Sequence, residues 1–273
     1  MRAGSLPRCY GASSTNPKGE MMTKYQRAIG LALVLAIGAI KAYAKDEGAP
    51  PCNVAPDPAR AQYVIGYGSL MQDASRYRTA PHAGPAEPVT VSGYQRGWYA
   101  RSKGASLGTT YLGVVPDVAS SLNAVIYQIS TSELAATDRR ERIYCRVAVA
   151  PAAVKLLAPE APAIAKAQLW IYEVAAGEAT AVDEDHPIAQ SYVDLFVGGC
   201  LEQEERFKLR QFSEQCVRTT YGWSAHWVND RLYPRRPVAF EPRAFEIDKL
   251  LAEELPAYWS QVRLEGGVLG MRP

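Results

Sequence analysis

The chain has 273 residues, of which 48% are apolar and 21% are charged, and its formal net charge is +2. Its first 44 residues hold six of the 30 basic and one of the 28 acidic residues, so the remaining chain has 24 basic and 27 acidic residues, a formal charge of −3. This balance argues against a generally basic nucleic-acid-binding protein, and no nucleic-acid partner is expected. The remaining roughly 230 residues are enough for one large domain with a buried core.

The N-terminal segment has the layout of a secretory signal peptide. Lys24 and Arg27 form a basic region, residues 28–40 form an apolar core, and Ala42-Tyr43-Ala44 is an A-x-A cleavage site. We therefore predict cleavage after Ala44 and export to the periplasm, with residues 1–20 as an upstream extension. A retained membrane anchor is the alternative, but the apolar core is shorter than the about 20 residues of a membrane span. After cleavage, no stable membrane association is expected.

Residues 45–61 are rich in proline, alanine and charge, which predicts a disordered linker before a domain at residues 62–273. The domain opens with an apolar strand at residues 63–68, which leads into the loop Tyr67-Gly68-Ser69-Leu70. Gly66 and Gly68 allow a positive φ or a close approach of the backbone to a ligand. Because the loop has no bulky side chain at its tip, its peptide N–H groups can point at a bound oxyanion or carboxylate.

The next sixty residues predict a β-meander. Residues 71–86 are expected to form a surface loop, and residues 88–98 a strand bent at glycines. Two further strands are predicted at residues 110–115 and 122–129, separated by a turn at Pro116-Asp117.

Ser130 and Glu133 form a capping box, which predicts a short helix through Arg140. Glu141 then stands alone at the junction with a β-branched run at residues 143–149, and it is our candidate acid/base. Composition alone favours a solvated salt-bridge partner of the neighbouring arginines, and only the pairing of Glu141 with the loop favours the acid/base.

The later part of the chain has more helical patterns. A strand is predicted at residues 166–174, a helix is predicted to start at Pro187 and to carry Tyr192 on its apolar face, and an amphipathic helix is predicted at residues 244–255. Strands early and helices late favour an α+β fold over a doubly wound sheet, and the strand bends favour barrel-like closure. Trp223 and Trp227 are interpreted as core residues.

Four cysteines follow the leader, and they allow three pairings. We favour a Cys200–Cys216 disulfide because these residues flank one helical segment, and we expect Cys145 to be a buried thiol and leave Cys52 unassigned. The chain has three histidines and no metal-binding Cys/His spacing, so neither a zinc site nor another cofactor is expected.

Three of these features, in this order, resemble the γ-glutamylcyclotransferase family. They are the Tyr67-Gly68-Ser69 loop, the single Glu141 before a strand with Tyr144 and Arg146, and the helix start from Pro187 to Tyr192. The resemblance covers roughly residues 63–237, and it implies a small mixed β-barrel flanked by helices. Some family members have Asn where this chain has Leu70. Residues 218–237 resemble an extension of bacterial relatives, to which the sequence assigns no role.

The family's reaction is intramolecular: the α-amine of a γ-glutamyl group attacks its own γ-carbonyl and releases 5-oxoproline and an amine. The resemblance implies that Glu141 acts as base and then acid, which requires burial to raise its pKa. It also implies that the N–H groups of Gly68, Ser69 and Leu70 hold the carboxylate or the oxyanion. The hydroxyls of Tyr67, Tyr144 and Tyr192 would complete the wall, with Arg146 orienting Glu141 or bridging strands. The partner is a small γ-glutamyl peptide or amine, without metal or organic cofactor.

Two other functions remain open at this point. A non-catalytic module could use the same pocket to bind a small acidic metabolite or a glycan. A serine-dependent hydrolase could use Ser69, although the chain lacks a G-x-S-x-G elbow and His186 and His226 have no triad context.

Overall fold

The computed structural model describes residues 52–101, 108–159, 162–236 and 243–265. The predicted leader and residues 45–51 of the predicted linker lie outside these residues. Within them, no helix combines the length and apolar character that crossing a membrane requires.

Ten strands of the described residues form one mixed sheet. They are β1 (Gln62–Gly66), β2 (Glu87–Arg101), β3 (Thr110–Ile129), β4 (Cys145–Val149), β5 (Val154–Leu156), β6 (Gln168–Glu173), β7 (Ile188–Ala189), β8 (Thr220–Tyr221), β9 (Trp227–Asn229) and β10 (Arg263–Leu264). The α-helices are α1 (Asp73–Tyr77), α2 (Thr131–Arg140), α3 (Gln190–Phe207), α4 (Phe212–Arg218), α5 (Ala244–Glu254) and α6 (Pro256–Trp259). The predicted α+β class is confirmed.

Strand β1 lies in the middle of the sheet, where all five of its residues are buried. It pairs antiparallel with β3 and parallel with β6. Along the sheet the strands follow the order β10, β9, β7, β3, β1, β6, β4, and β2 pairs with β3, β5 and β8. These pairings do not close into a ring among the described strands, so the predicted barrel closure is not seen.

The predicted pair of strands at residues 110–129 is one continuous strand, β3. The predicted turn at Pro116-Asp117 becomes a bulge: the partners Ser92↔Ser121 and Tyr94↔Pro116 leave residues 117–120 opposite Gly93. The Asp117 carboxylate accepts hydrogen bonds from the Ala119 N–H and the Ser120 hydroxyl, at 3.1 and 2.6 Å. The hydrogen bonds of a turn are therefore present, but β3 pairs with β2 on both sides of them, so the segment is a bulge in one strand.

The capping box at the start of α2 is confirmed, because the Ser130 hydroxyl accepts the Glu133 N–H and donates to the Glu133 carboxylate. The helix ends at Arg140, as predicted. The predicted loop at residues 71–86 contains the short helix α1. Helix α3 begins at Gln190 rather than at Pro187, because Ile188 and Ala189 pair with β9 as strand β7.

Two disulfides join distant parts of the chain. The predicted Cys200–Cys216 bond links α3 to α4. The prediction of a free Cys145 thiol is wrong, because Cys145 bonds to Cys52. Next to this bond, the Asn53 N–H donates to the Arg146 carbonyl at 2.9 Å, so the chain at residues 52–54 runs along the start of β4. This part of the predicted linker is therefore tied to the sheet.

Helix α3 packs directly on the loop that follows β1. A Cβ atom at Gly199 would lie 2.6 Å from the Gln72 backbone nitrogen, so glycine is needed for this contact. The core also contains Trp98, Trp223 and Trp227, and the ring of Trp223 contacts the rings of the other two. The interpretation of Trp223 and Trp227 as core residues is confirmed, since both are buried. The loop is thus held between the sheet and a buried helix.

Candidate active site

A cavity of about 510 Å³ lies where the loop after β1, the end of α2 and the start of α3 meet. Its lining consists of Ser69, Ser75, Arg78, Thr79, Tyr111, Arg140, Glu141, Arg142, Ile143, Tyr144, Tyr192, Leu195 and Arg236. A smaller annex of about 20 Å³ shares four of these residues, and it is lined by Tyr67, Gly68, Ser69, Leu70, Leu112, Glu141, Tyr144, Tyr172 and Tyr192. The structure thus brings all seven of the predicted site residues together around the annex.

Glu141 follows the last residue of α2, and its side chain is 14% exposed. Burial raises the pKa of its carboxyl group above the ordinary value, while Arg140 and, less strongly, Arg236 lower it. Glu141 lines both cavities, and little of its side chain is exposed to solvent. A carboxyl group with a raised pKa in a cleft has the properties of a general acid/base.

Arg140 holds Glu141 against the loop. Its Nε forms an ion pair with the Glu141 carboxylate at 3.0 Å. Its two terminal nitrogens donate to the Ser69 hydroxyl at 3.0 Å, to the carbonyl and hydroxyl of Ser75 at 2.7 and 2.9 Å, and to the Thr79 hydroxyl at 3.3 Å. Of the five N–H donors of a guanidinium group, the four on the terminal nitrogens are thus used in hydrogen bonds within the protein, and Nε lies at the Glu141 carboxylate. The salt-bridge alternative for Glu141 is therefore correct as a contact, and the same contact fixes the carboxyl group in the cavity.

The backbone at Gly68 lies directly beneath the Tyr192 hydroxyl. A Cβ atom at Gly68 would lie 2.9 Å from that oxygen, so the close approach depends on glycine. The φ angle of Gly68 is −129°, so close approach rather than a positive φ explains the residue. The annex above this loop has the volume of about one water molecule. It is therefore large enough for a single oxygen atom.

The three tyrosine hydroxyls of the annex differ in what they can offer a ligand. The Tyr67 hydroxyl donates to the Tyr172 carbonyl at 2.5 Å, and the Tyr144 hydroxyl donates to the Leu112 carbonyl at 2.7 Å. Because their protons are engaged, both present lone pairs to the annex and can accept a hydrogen bond. Burial raises the pKa of Tyr192, which keeps its hydroxyl protonated, and a hydrogen bond from the Ser69 N–H acts in the opposite direction. That hydroxyl can donate to a bound oxygen atom.

No histidine of the described residues lines the cavities beside Ser69. The Ser69 hydroxyl accepts a hydrogen bond from Arg140 at 3.0 Å. A permanently charged guanidinium group cannot remove the hydroxyl proton. The serine-hydrolase alternative therefore has no support in this geometry.

Arg146 does not orient Glu141 directly. Its Nε pairs with the Asp138 carboxylate at 2.8 Å, and its guanidinium group lies 4.3 Å from the centre of the Trp170 ring. The residue thus ties β4 to α2.

Sequence reasoning predicted four of the thirteen lining residues of the larger cavity, and two of those that it missed, Tyr111 and Arg236, contact each other. The Arg236 guanidinium group lies over the Tyr111 ring, 4.2 Å from its centre. Arg236 belongs to the segment at residues 218–237 to which the sequence assigned no role, and no local pattern distinguishes it from the neighbouring arginines. With Arg78, Arg140 and Arg142, it makes four arginines around one glutamate, so the cavity favours an anionic ligand.

Within the described residues, no group of three or more His, Cys, Asp or Glu side chains is arranged to hold a metal ion.

No protein-family model matches the chain. No curated protein matches it either. Solved structures with a similar fold include a γ-glutamyl cyclotransferase, with 13% identity over 58% of this chain and 88% of that chain and a TM-score of 0.44. They also include a yeast γ-glutamyl cyclotransferase specific to glutathione, with 13% identity over 58% and 97% of the two chains and a TM-score of 0.35. A third is an AIG2-like protein from Mus musculus, with 16% identity over 42% and 78% and a TM-score of 0.30.

Two of these structures carry the name of the family that the Tyr67-Gly68-Ser69 loop and Glu141 resemble. At these identities the likeness concerns the fold, and the function is inferred from the site itself.

Proposed function

We propose that the protein is a γ-glutamylcyclotransferase-like enzyme that releases 5-oxoproline from a γ-glutamyl peptide or amine. The observation that carries the proposal is the position of Glu141. Its carboxyl group, with a pKa raised by burial, shares a water-sized annex with the glycine loop after β1.

In the proposed reaction, Glu141 accepts a proton from the α-ammonium group of the substrate. The free amine attacks the γ-carbonyl carbon of the same glutamyl group, and a C–N bond closes the five-membered ring. Glu141 then returns the proton to the leaving nitrogen, and the original C–N bond breaks. The ring nitrogen gives up its second proton to the carboxylate, from which the proton passes to the released amine, so the products are 5-oxoproline and an ammonium group. A single carboxyl group can perform both transfers if its pKa lies nearer to neutrality than usual.

The annex suits the oxyanion that forms on the γ-carbonyl oxygen. It has room for one oxygen atom, and the donors that we assign to it are the Tyr192 hydroxyl and the N–H groups of Gly68 and Leu70, since the Ser69 N–H is bonded to Tyr192. Tyr67 and Tyr144 present lone pairs, which suits the α-ammonium group rather than the oxyanion. Holding the amine next to the carbonyl group can lower the barrier by about 7–11 kcal/mol.

We also propose that the enzyme is exported. The basic, apolar and A-x-A pattern of residues 24–44 supports this, as do the two disulfides of the domain, because such bonds persist in oxidising compartments.

The test uses the purified mature protein and a panel of γ-glutamyl dipeptides, glutathione and γ-glutamyl amines, with 5-oxoproline measured by mass spectrometry. We expect product from at least one substrate, and a loss of about a hundredfold or more in kcat for Glu141→Gln, with substrate affinity kept. Ser69→Ala is the matched control and is expected to retain turnover. Full activity in Glu141→Gln, or loss in Ser69→Ala together with labelling of Ser69 by a fluorophosphonate, would contradict the proposal. Saturable binding without product would instead favour a binding module.

A further inference from the structure

The segment at residues 218–237 delivers a cation to the cavity that the proposed chemistry does not yet use. The Arg236 guanidinium group is stacked on the face of Tyr111, 4.2 Å from the ring centre. The Tyr111 ring in turn meets the Tyr192 ring edge to face, with the ring centres 5.1 Å apart. Arg236 is also near enough to Glu141 and Tyr144 to lower the pKa of both groups. It therefore lies on the reactive side of the cavity.

Arg236 and Arg140 differ in what they can offer a substrate. The terminal nitrogens of Arg140 donate to Ser69, Ser75 and Thr79, and its Nε pairs with Glu141. The Nε of Arg236, in contrast, is buried and has no hydrogen-bond partner among the described residues. Stacking occupies the face of a guanidinium group and leaves its edge, where the N–H donors lie, open to a planar anion.

The backbone around Arg236 is fixed to the start of α3. Asp230, which is 1% exposed, accepts the Ser191 N–H at 2.7 Å, the Ser191 hydroxyl at 2.6 Å and the Arg235 N–H at 2.7 Å. The Ser191 hydroxyl also accepts the Arg236 N–H at 3.2 Å. Since Tyr192 follows Ser191, one buried carboxylate sets both Tyr192 and Arg236 in place.

We propose that Arg236 binds the α-carboxylate of the glutamyl group. This inference rests on the proposed function. The α-carboxylate and the α-amine are attached to the same carbon atom, so a group that binds the carboxylate must lie beside the base that takes the amine proton. Arg236 meets that condition. The larger cavity, of about 510 Å³, has room for both oxygens of the carboxylate, and Arg236 lines it. The loop after β1 then holds the oxyanion alone.

The first experiment measures binding without turnover, by titration calorimetry with 5-oxoproline and with its uncharged amide. We expect the wild-type protein to bind the acid about ten- to a hundredfold more tightly than the amide, as for a charge-assisted hydrogen bond. Arg236→Gln is expected to lose this preference, and Arg236→Lys, which keeps the charge but not the planar edge, to keep part of it. Arg139→Gln, at an exposed residue of α2, is the matched control and is expected to bind like the wild type. An unchanged preference in Arg236→Gln, or a wild-type protein that does not prefer the acid, would overturn the proposal.

The second experiment compares kcat/KM for a γ-glutamyl amine and for its α-carboxamide analogue. The wild type is expected to discriminate by a similar ten- to hundredfold factor, and Arg236→Gln is expected not to discriminate. If Arg236 instead bound a carboxylate of the leaving group, the variant would still reject the α-carboxamide, and the proposal would be wrong. If Arg236→Gln turns over the γ-glutamyl amine and still discriminates against the α-carboxamide, the role of Arg236 is wrong and the proposed function stands. If Arg236→Gln loses the preference for 5-oxoproline over its amide but the wild type turns over no substrate, the proposed function is wrong and the role of Arg236 in binding stands.

Discussion

Replacing Arg140 by Met tests whether the contacts at the end of α2 hold Glu141 in its working position. The substitution keeps a long side chain but removes the ion pair to Glu141 at 3.0 Å and four hydrogen bonds to Ser69, Ser75 and Thr79. It acts on both stability and catalysis, which can be measured separately.

The loss of stability can be estimated contact by contact. The carbonyl oxygen of Ser75, a residue that is 3% exposed, loses its donor at 2.7 Å. A buried acceptor without a partner costs about 1–3 kcal/mol. The hydroxyl groups of Ser69 and Thr79 can rotate to other partners and contribute less, and the partly exposed ion pair contributes up to about 1 kcal/mol. We expect the free energy of unfolding to fall by about 2–4 kcal/mol, and Tm by roughly 5–15 °C for a domain of this size.

The effect on catalysis follows from the charge of Arg140. Of the two arginines that lower the pKa of Glu141, Arg140 has the larger effect. In Arg140→Met the pKa of Glu141 therefore rises further. Glu141 must be ionised to accept a proton, so the rate falls as the pH drops through this pKa. The acid limb of the kcat/KM profile should move to higher pH, whereas Arg140→Lys should keep the limb close to its original position.

The assay combines a urea titration followed by tryptophan fluorescence with 5-oxoproline formation between pH 4 and pH 9. Arg139→Met, on the exposed side of α2, is the control for the loss of an arginine from the same helix, and both measurements should match the wild type. An acid limb that stays in place in Arg140→Met, although the variant is folded and active, would refute the role of Glu141 as the base.

Two further predictions concern the loop and the covalent framework. Gly68→Ala places a Cβ atom 2.9 Å from the Tyr192 hydroxyl, so we expect at least a tenfold lower kcat. The free energy of unfolding should fall by no more than about 2 kcal/mol, as for local overpacking. Steady-state kinetics and urea titration measure these two effects, and an unchanged kcat would contradict the prediction. The double substitution Cys200→Ser and Cys216→Ser opens a loop with a sequence separation of 16. It should lower the free energy of unfolding by about 3 kcal/mol and Tm by roughly 6–12 °C. Activity at 25 °C should be retained. Equal Tm values for this variant and the oxidised wild type would contradict the second prediction.

Most of the local structure was predictable because it depends on neighbouring residues. The capping box of Ser130 and Glu133 marks the start of α2 by side-chain contacts within one turn. The apolar run before Gly66 marks β1, and Glu141 follows from the point at which a helical pattern changes to a strand pattern. The order of loop, glutamate and tyrosine along the chain is also a property of the sequence alone.

Several of the features that sequence reasoning missed depend on partners elsewhere in the chain. Strand β3 runs through Pro116 because β2 pairs with it on both sides of the bulge. Residues Ile188 and Ala189 are a strand because β9 lies beside them. Cys145 is oxidised because Cys52, at a sequence separation of 93, is brought to it.

The same distinction applies to the site. The residue types needed for an intramolecular cyclisation, a glycine loop and a single carboxylate, can be read from the chain. Packing between distant segments decides whether that carboxylate faces water or a cavity, and which tyrosine protons are already engaged. It also decides which of many arginines stands beside the base. No local pattern connects these segments. Arg236 is the clearest case: it reaches the cavity because the buried Asp230 binds its segment to the start of α3. Such contacts arise only when the whole domain folds, because each single contact is too weak to hold two distant segments together against the chain entropy.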